Sequence, residues 1–250
     1  MKMEYHFDYF LKDHLGNVRT VLTDEVKADT YMCTMEEEHS VLEHELFEKL
    51  EDLVEEPESF GGDGENMVQR LGASNGAVRS IVLGAGLVLK VMAGDHVAAN
   101  VLGRFNNTEQ NITPNSSVPL QQLIANFFTN GILHSGKGDV AGALPGVVLS
   151  GITNFLQNQP NNEDQQSAYL NWIMLDEEQL KVVTSGTGFT SLFSQAGTTG
   201  GGVNTILQAN NGDGIDVTRN GFLYIYISNT NTNFPVYFDN LHVEIGRAHV

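Results

Sequence analysis

Cations are scarce in this 250-residue chain: 13 lysines and arginines stand against 31 aspartates and glutamates, a formal charge of -18. Binding a phosphate backbone needs clustered cations to displace counterions, so nucleic acid is disfavoured as a partner. Docking onto an anionic membrane is disfavoured for the same reason. Cysteine is nearly absent. Cys33 stands alone, which excludes an intrachain disulfide and a cysteine-rich metal site. No charged segment followed by an apolar run opens the chain, so no signal peptide is visible. None of the eight histidines pairs at HxH or HxxxH spacing, and His39 and His44, five apart, would miss a common helix face. No Walker or dinucleotide loop is present. No catalytic constellation emerges, and the expectation is a protein that is not an enzyme and holds no cofactor or metal.

Glycine, asparagine, serine and threonine are plentiful instead, and strand-like runs alternate with turn clusters through the second half. That is an all-β signature. Tyr5 to Asp24 reads as a β-hairpin. Tyr5, Phe7, Tyr9 and Leu11 share one face by the period of two, and His6, Asp8 and Phe10 share the other. Gly16 and Asn17 suit the tight connection, with Asp13 bonding the turn's own backbone. An Asp13–His14 catalytic pair is weighed and set aside, because neighbours on a strand point to opposite faces.

Residues 24–65 hold about half of the acidic side chains. Leu42, Leu46, Leu50 and Val54 recur every four residues, which argues an amphipathic helix. The expectation is a helix from about Thr34 to Glu43 and a strand from about Glu45 to Leu53, with the acidic run as a solvated face. Val68 to Leu71 alternates, and Ile81 to Met92 is an apolar, glycine-punctuated strand. Gly94-Asp95 suits a hairpin turn that returns along His96 to Phe105.

Ser117-Val118-Pro119 starts a helix whose apolar stripe is Leu120, Leu123, Ile124, Phe127 and Phe128. A second apolar stretch, Val140 to Leu156, is too short and too polar at its end to span a membrane. The two form a helical hairpin at about 117–160, packed on the sheets. Strands resume at Ala168 to Asp176, Leu180 to Val183, Phe222 to Asn229 and Pro235 to Val243, and Thr184 to Gly214 is loop-rich, with Gly200-Gly201-Gly202 as its flexible tip.

Two features invite ligand chemistry. Asn210 to Asp216 superficially resembles a calcium loop, but lacks the paired acidic positions and the closing bidentate Glu, so turn chemistry is the better reading. Trp172, the single tryptophan, offers a large face for stacking a sugar ring. Its apolar neighbours favour a core role instead. Trp172, Tyr169 and Tyr226 are the candidate glycan contacts.

Several strings together resemble the Rhs repeat-associated core of bacterial YD-repeat proteins, of Bacteroidetes type. They are Tyr5 to Arg19, Leu89-Lys90-Val91-Met92-Ala93-Gly94-Asp95, and much of 167–243. More distantly, the Tyr237-Phe238-Asp239-Asn240-Leu241 string resembles the last strand of galactose-binding-like jelly rolls. The resemblance implies a YD-type hairpin at 1–33 and a jelly-roll β-sandwich at 34–243 with the inserted helical hairpin. It also implies a structural or interaction segment of a secreted or cell-surface, toxin-associated shell protein, partnered by the rest of its parent polypeptide. The jelly roll implies a second reading, a carbohydrate-binding module with a glycan partner. Family cores end in an Asp-Pro-containing self-cleavage segment, and this chain has no Asp-Pro. Glu244 to Val250 matches the in-frame translation of a common sequencing adapter, so 244–250 is left out of the expected fold.

Overall fold

The structure, a computed structural model, describes residues 8–12, 14, 15, 17–23, 28–50, 53–56, 66–72, 81–105, 116–126, 146–159, 167–196, 204–231 and 234–247. Strand β1 (Asp8–Lys12) pairs antiparallel with β2 (Val18–Thr23) as a separate two-stranded sheet, with a register shift between Leu11 and Lys12. This is the expected hairpin. Asp13 and Gly16 lie outside the described residues.

The remaining strands form an all-β sandwich of jelly-roll type. One sheet is built on β13 (Val236–Gly246), which pairs with β7 (His96–Phe105), β5 (Met67–Leu71) and β3 (Ala28–Cys33). β4 (Leu53–Glu55) extends it beyond β5, and β10 (Thr205–Gln208) and β11 (Ile215–Asp216) flank β7. The second sheet has the order β6 (Leu83–Val91), β12 (Gly221–Asn229), β8 (Ala168–Asp176), β9 (Gly188–Ser191). Alternation, interrupted in β13 by a bulge between Asp239 and His242, creates the core between them. Val97, Ala99, Val101, Phe105, Phe238, Leu241 and Val243 of one sheet meet Leu87, Leu89, Trp172, Leu223 and Ile225 of the other. Each such burial contributes about 1.5–3 kcal/mol.

The outer face of the four-stranded sheet is also apolar, and helices cover it. Tyr224, Phe222, Ile173 and Leu175 pack with Leu123 and Ile124 of α2 (Leu120–Asn126) and with Val148, Ile152 and Phe155 of α3 (Gly146–Asn158). α2 starts as expected, with Gln122 and Leu123 donating to the Pro119 carbonyl. Among the described residues no helix is long and apolar enough to cross a membrane. Phe127, Phe128 and Val140 lie outside the described residues.

Five local expectations need correction. First, the 34–43 helix and the 45–53 strand become a short 3-10 turn at Glu37–His39, α1 (Ser40–Leu46) and a lone bridge at Glu48. A buried carboxylate is the reason. Glu43 turns inward and accepts hydrogen bonds from the Thr34 and Met35 N–H groups and the Thr34 hydroxyl, leaving Leu42 and Leu46 exposed. Second, Gly94-Asp95 is not a hairpin turn. β6 and β7 sit in different sheets, so residues 92–95 arch between them, held by Met92 N–H donating to Asp95 Oδ2. Third, β3 belongs to the sandwich rather than to the hairpin unit, pairing β13 from Ala28 to Cys33. Fourth, Glu244, Ile245 and Gly246 continue β13, and Ile245 is fully buried. Fifth, the strand expected at Leu180 to Val183 is a single bridge of Val182 with Leu175, and the loop-rich stretch from Thr184 contains β9, α4 (Leu192–Ala196) and β10. Gly200, Gly201 and Gly202 lie outside the described residues. Leu192, Phe193 and Leu207 are buried there and pin those elements to the core.

Candidate functional site

The three candidate aromatics are all buried. Trp172 is 3 % exposed, Tyr169 1 % and Tyr226 0 %. Trp172 points into the core and lies so close to Gly188 that a Cβ there would meet the indole at 2.5 Å. Tyr226 stacks on Tyr224, ring centroids 4.9 Å apart, beneath the helices. Tyr169 meets the edge of Phe189 at 5.5 Å. Trp172 faces one side of its sheet and the two tyrosines the other, so the structure does not bring the three together. None offers an open ring to a sugar. Asn210 to Asp216 forms the expected turn, with Asn210 and Asn211 at positive φ and the Asn210 side-chain amide donating to the Gly214 carbonyl. Among the described residues no cluster of metal-ligating side chains occurs.

One spacing goes beyond the candidates read from the sequence. Gly72-Ala73-Ser74-Asn75-Gly76 has the Gly-x-Ser-x-Gly form of a nucleophile elbow. That motif needs a strand-to-helix turn on an α/β sheet. Here it leaves β5 of an antiparallel sandwich, and Ser74 lies outside the described residues.

A different surface has the polar groups. Helices lie over the four-stranded sheet, whereas the outer face of the seven-stranded sheet carries half-buried polar side chains. Strand register arranges it in rows. Arg70, Tyr237 and Arg104 lie side by side on β5, β13 and β7. Beside them, Asp239 lies opposite Leu102, and Leu102 opposite Ile206. A further row runs Met32, His242, Asn100, Gln208, with an Asn100–His242 side-chain contact of 3.3 Å.

Charges are concentrated at the first two rows. The Arg104 guanidinium is ion-paired with Glu56, both side chains being largely buried. Burial pushes Asp239 above the ordinary carboxylate range, opposed by hydrogen bonds from Asn66 and Asn240. Burial also pushes Arg104 down from its usual value, with Asp239 opposing that shift. The Oδ1 of Asp239 is buried with no hydrogen-bond partner among the described residues. Glu56, Arg104, Tyr237 and Asp239 line a recess of about 10 Å³, the room of about one water. A fixed guanidinium, two carboxylates and a phenol can donate to and accept from hydroxyl groups at the same time, and Tyr237 adds a ring face.

No family model matches the chain, and no curated protein matches it either. Two solved structures overlap it in part. One is the Clostridium thermocellum endo-1,4-beta-D-xylanase 10B CBM22-1–GH10 pair complexed with xylohexaose, 10 % identical, TM-score 0.33, with 82 % of this chain and 26 % of that one covered. This chain thus spans about a quarter of that protein's length. The other is the C-terminal family 22 carbohydrate binding module of the same enzyme, 8 % identical, TM-score 0.25, with 73 % and 84 % covered. The fold assignment rests on the sheets described above, not on these overlaps.

Proposed function

We propose that the protein is a non-catalytic carbohydrate-binding module whose ligand lies across the outer face of the seven-stranded sheet. One observation carries this reading: the outer sheet face holds the half-buried Arg70–Tyr237–Arg104 row flanked by Glu56 and Asp239. Neutral sugars suit such a surface, because paired donors and acceptors exchange water for ligand hydroxyls without stranding a charge. The glycan is bound and released unchanged.

The test is affinity electrophoresis of the intact chain through gels containing xylan, mixed-linkage glucan or galactan. Retardation by one of these, abolished by both Tyr237→Ala and Arg104→Ala with the circular-dichroism spectrum intact, is the expected result. Free migration in all three gels, or retardation that survives both changes, removes the reading.

A second reading rests on the hairpin. Phe10, Leu11, Leu15 and Val18 are all about half exposed or more on a two-stranded sheet, a unit that is marginal alone in water. In this reading the chain is an interaction segment of a secreted or surface Rhs-type polypeptide, and the hairpin docks onto the rest of that parent. Phe10→Ser with Leu15→Ser should abolish its co-purification with the parent's preceding segment. Undiminished co-purification would refute it.

A further inference from the structure

Among the described residues the β6 edge of the four-stranded sheet is only partly paired. Glu48 and Gly86 exchange both backbone hydrogen bonds, at 2.8 and 3.0 Å, so Gly86 turns its N–H and C=O away from β12. Antiparallel strands repeat that direction at every second residue, and the β6–β12 register is unbroken from Gly86 to Val91. Val88 and Lys90 therefore face the same way. The Lys90 carbonyl accepts from Arg247, whereas no strand pairs with Val88 among the described residues. The chain leaves this edge at Phe47 and turns back into α1, so the pairing begun at Glu48 stops after one residue. A cavity of about 550 Å³ occupies the vacated place, between the β6 edge and Tyr31 on β3.

The charges around this slot are unevenly committed. Lys90 pairs with Glu177, Arg247 with Asp29 and Asp95, and the His44 ring with the Ser40 carbonyl. Glu48 feels the Lys49 charge beside it but has no hydrogen-bonded partner: both carboxylate oxygens are buried without one among the described residues. Register places Glu48 on the same face of the sheet as Tyr226, since both lie opposite Gly86. Leu46, exposed at the end of α1, adds an apolar wall.

We propose that this slot docks an extended basic peptide segment, added as a strand along Val88 with a lysine or arginine side chain reaching Glu48. Strand addition supplies main-chain hydrogen bonds to an unpaired edge, and alternate side chains supply selectivity. On a strand antiparallel to β6, the residue opposite Val88 lies two positions from the site of Glu48 and on the same face. Such a segment would give Glu48 a charge-assisted partner and complete an edge that is otherwise a template for unwanted pairing.

The probe is a fluorescein-labelled peptide alternating valine and lysine, titrated with the full chain by fluorescence anisotropy at physiological salt. A valine–glutamate peptide and a valine–lysine peptide N-methylated on alternate backbone amides serve as controls. The lysine peptide should bind saturably and both controls should not. Glu48→Gln should weaken binding at least about tenfold, while Glu178→Gln, which removes an equal charge on the 177–179 turn, leaves it unchanged. Equal loss in both variants means general attraction to an acidic chain and overturns the proposal. So does binding that survives N-methylation or Glu48→Gln, or no binding of the lysine peptide at all.

Discussion

Arg104 and Tyr237 lie directly opposite each other on β7 and β13, both directed outward, with Arg70 completing the row on β5. Their strands are more than a hundred residues apart in sequence, and the sheet alone brings them side by side.

Asp239→Asn should test how that row is balanced. Removing a carboxylate already pushed up by burial relieves its desolvation and weakens its pull on Arg104. The expected outcome is a folded protein of equal or higher unfolding temperature. Arg104→Met should instead destabilise by about 1–3 kcal/mol, because Glu56 loses its partner in a largely buried place. Chemical denaturation of both variants checks the contrast.

Glu48 should give stability a pH dependence. Burial pushes its carboxyl from 4.5 up to about 7. The folded state therefore holds the proton more tightly than the unfolded chain. Its contribution is fully present below pH 4.5, declines as pH rises, and is lost above about 7. Glu48→Gln should flatten this slope and raise the unfolding temperature at pH 8 relative to wild type. Thermal melts between pH 5 and 8 that show the same slope in both proteins would contradict the assignment.

Glu43→Ala should cost about 1–3 kcal/mol, since two N–H groups and a hydroxyl lose their acceptor. Cys33 reports on the same event. Burial and the neighbouring Glu43 hold its thiol far above the usual range, and its Sγ donates to Glu43 Oε2 at 3.5 Å. Maleimide should label native Cys33 only on unfolding, and measurably faster in the variant.

Gly188→Ala and Gly146→Ala should differ in sign. A Cβ at 188 would meet the Trp172 ring at 2.5 Å, whereas among the described residues nothing lies within 4 Å of one at 146. The first should destabilise by about 1–3 kcal/mol and shift tryptophan emission. The second, at the start of α3, should be neutral or stabilising.

Much of the sandwich was legible in the chain because its strands alternate cleanly or are wholly apolar. Ala168 to Asp176 and Phe222 to Asn229, read as strands, are buried on both faces. The helical pair was readable from its stripe and from Pro119. Residues 34–53 were not, since Glu43 takes the inward position that a leucine stripe claims by periodicity. The surface row was only half visible. Asn100, Leu102 and Arg104 alternate with buried neighbours, as do Tyr237 and Asp239, so each strand announced an outward face. Which outward residues become neighbours depends on register between distant strands, and no local pattern encodes that. Trp172 was legible as a core residue from its apolar neighbours, although only the fold shows Gly188 pressed against its ring.

Strand β13 follows all the other described strands and is the hub of its sheet, bonded to β3, β5 and β7. During synthesis these three emerge long before their common partner, and they must wait for it with their pairing edges exposed. Assembly of the seven-stranded sheet is then a closing event, slow because it joins remote segments. Until Val236 to Gly246 has left the ribosome, those waiting edges are templates for pairing with other chains.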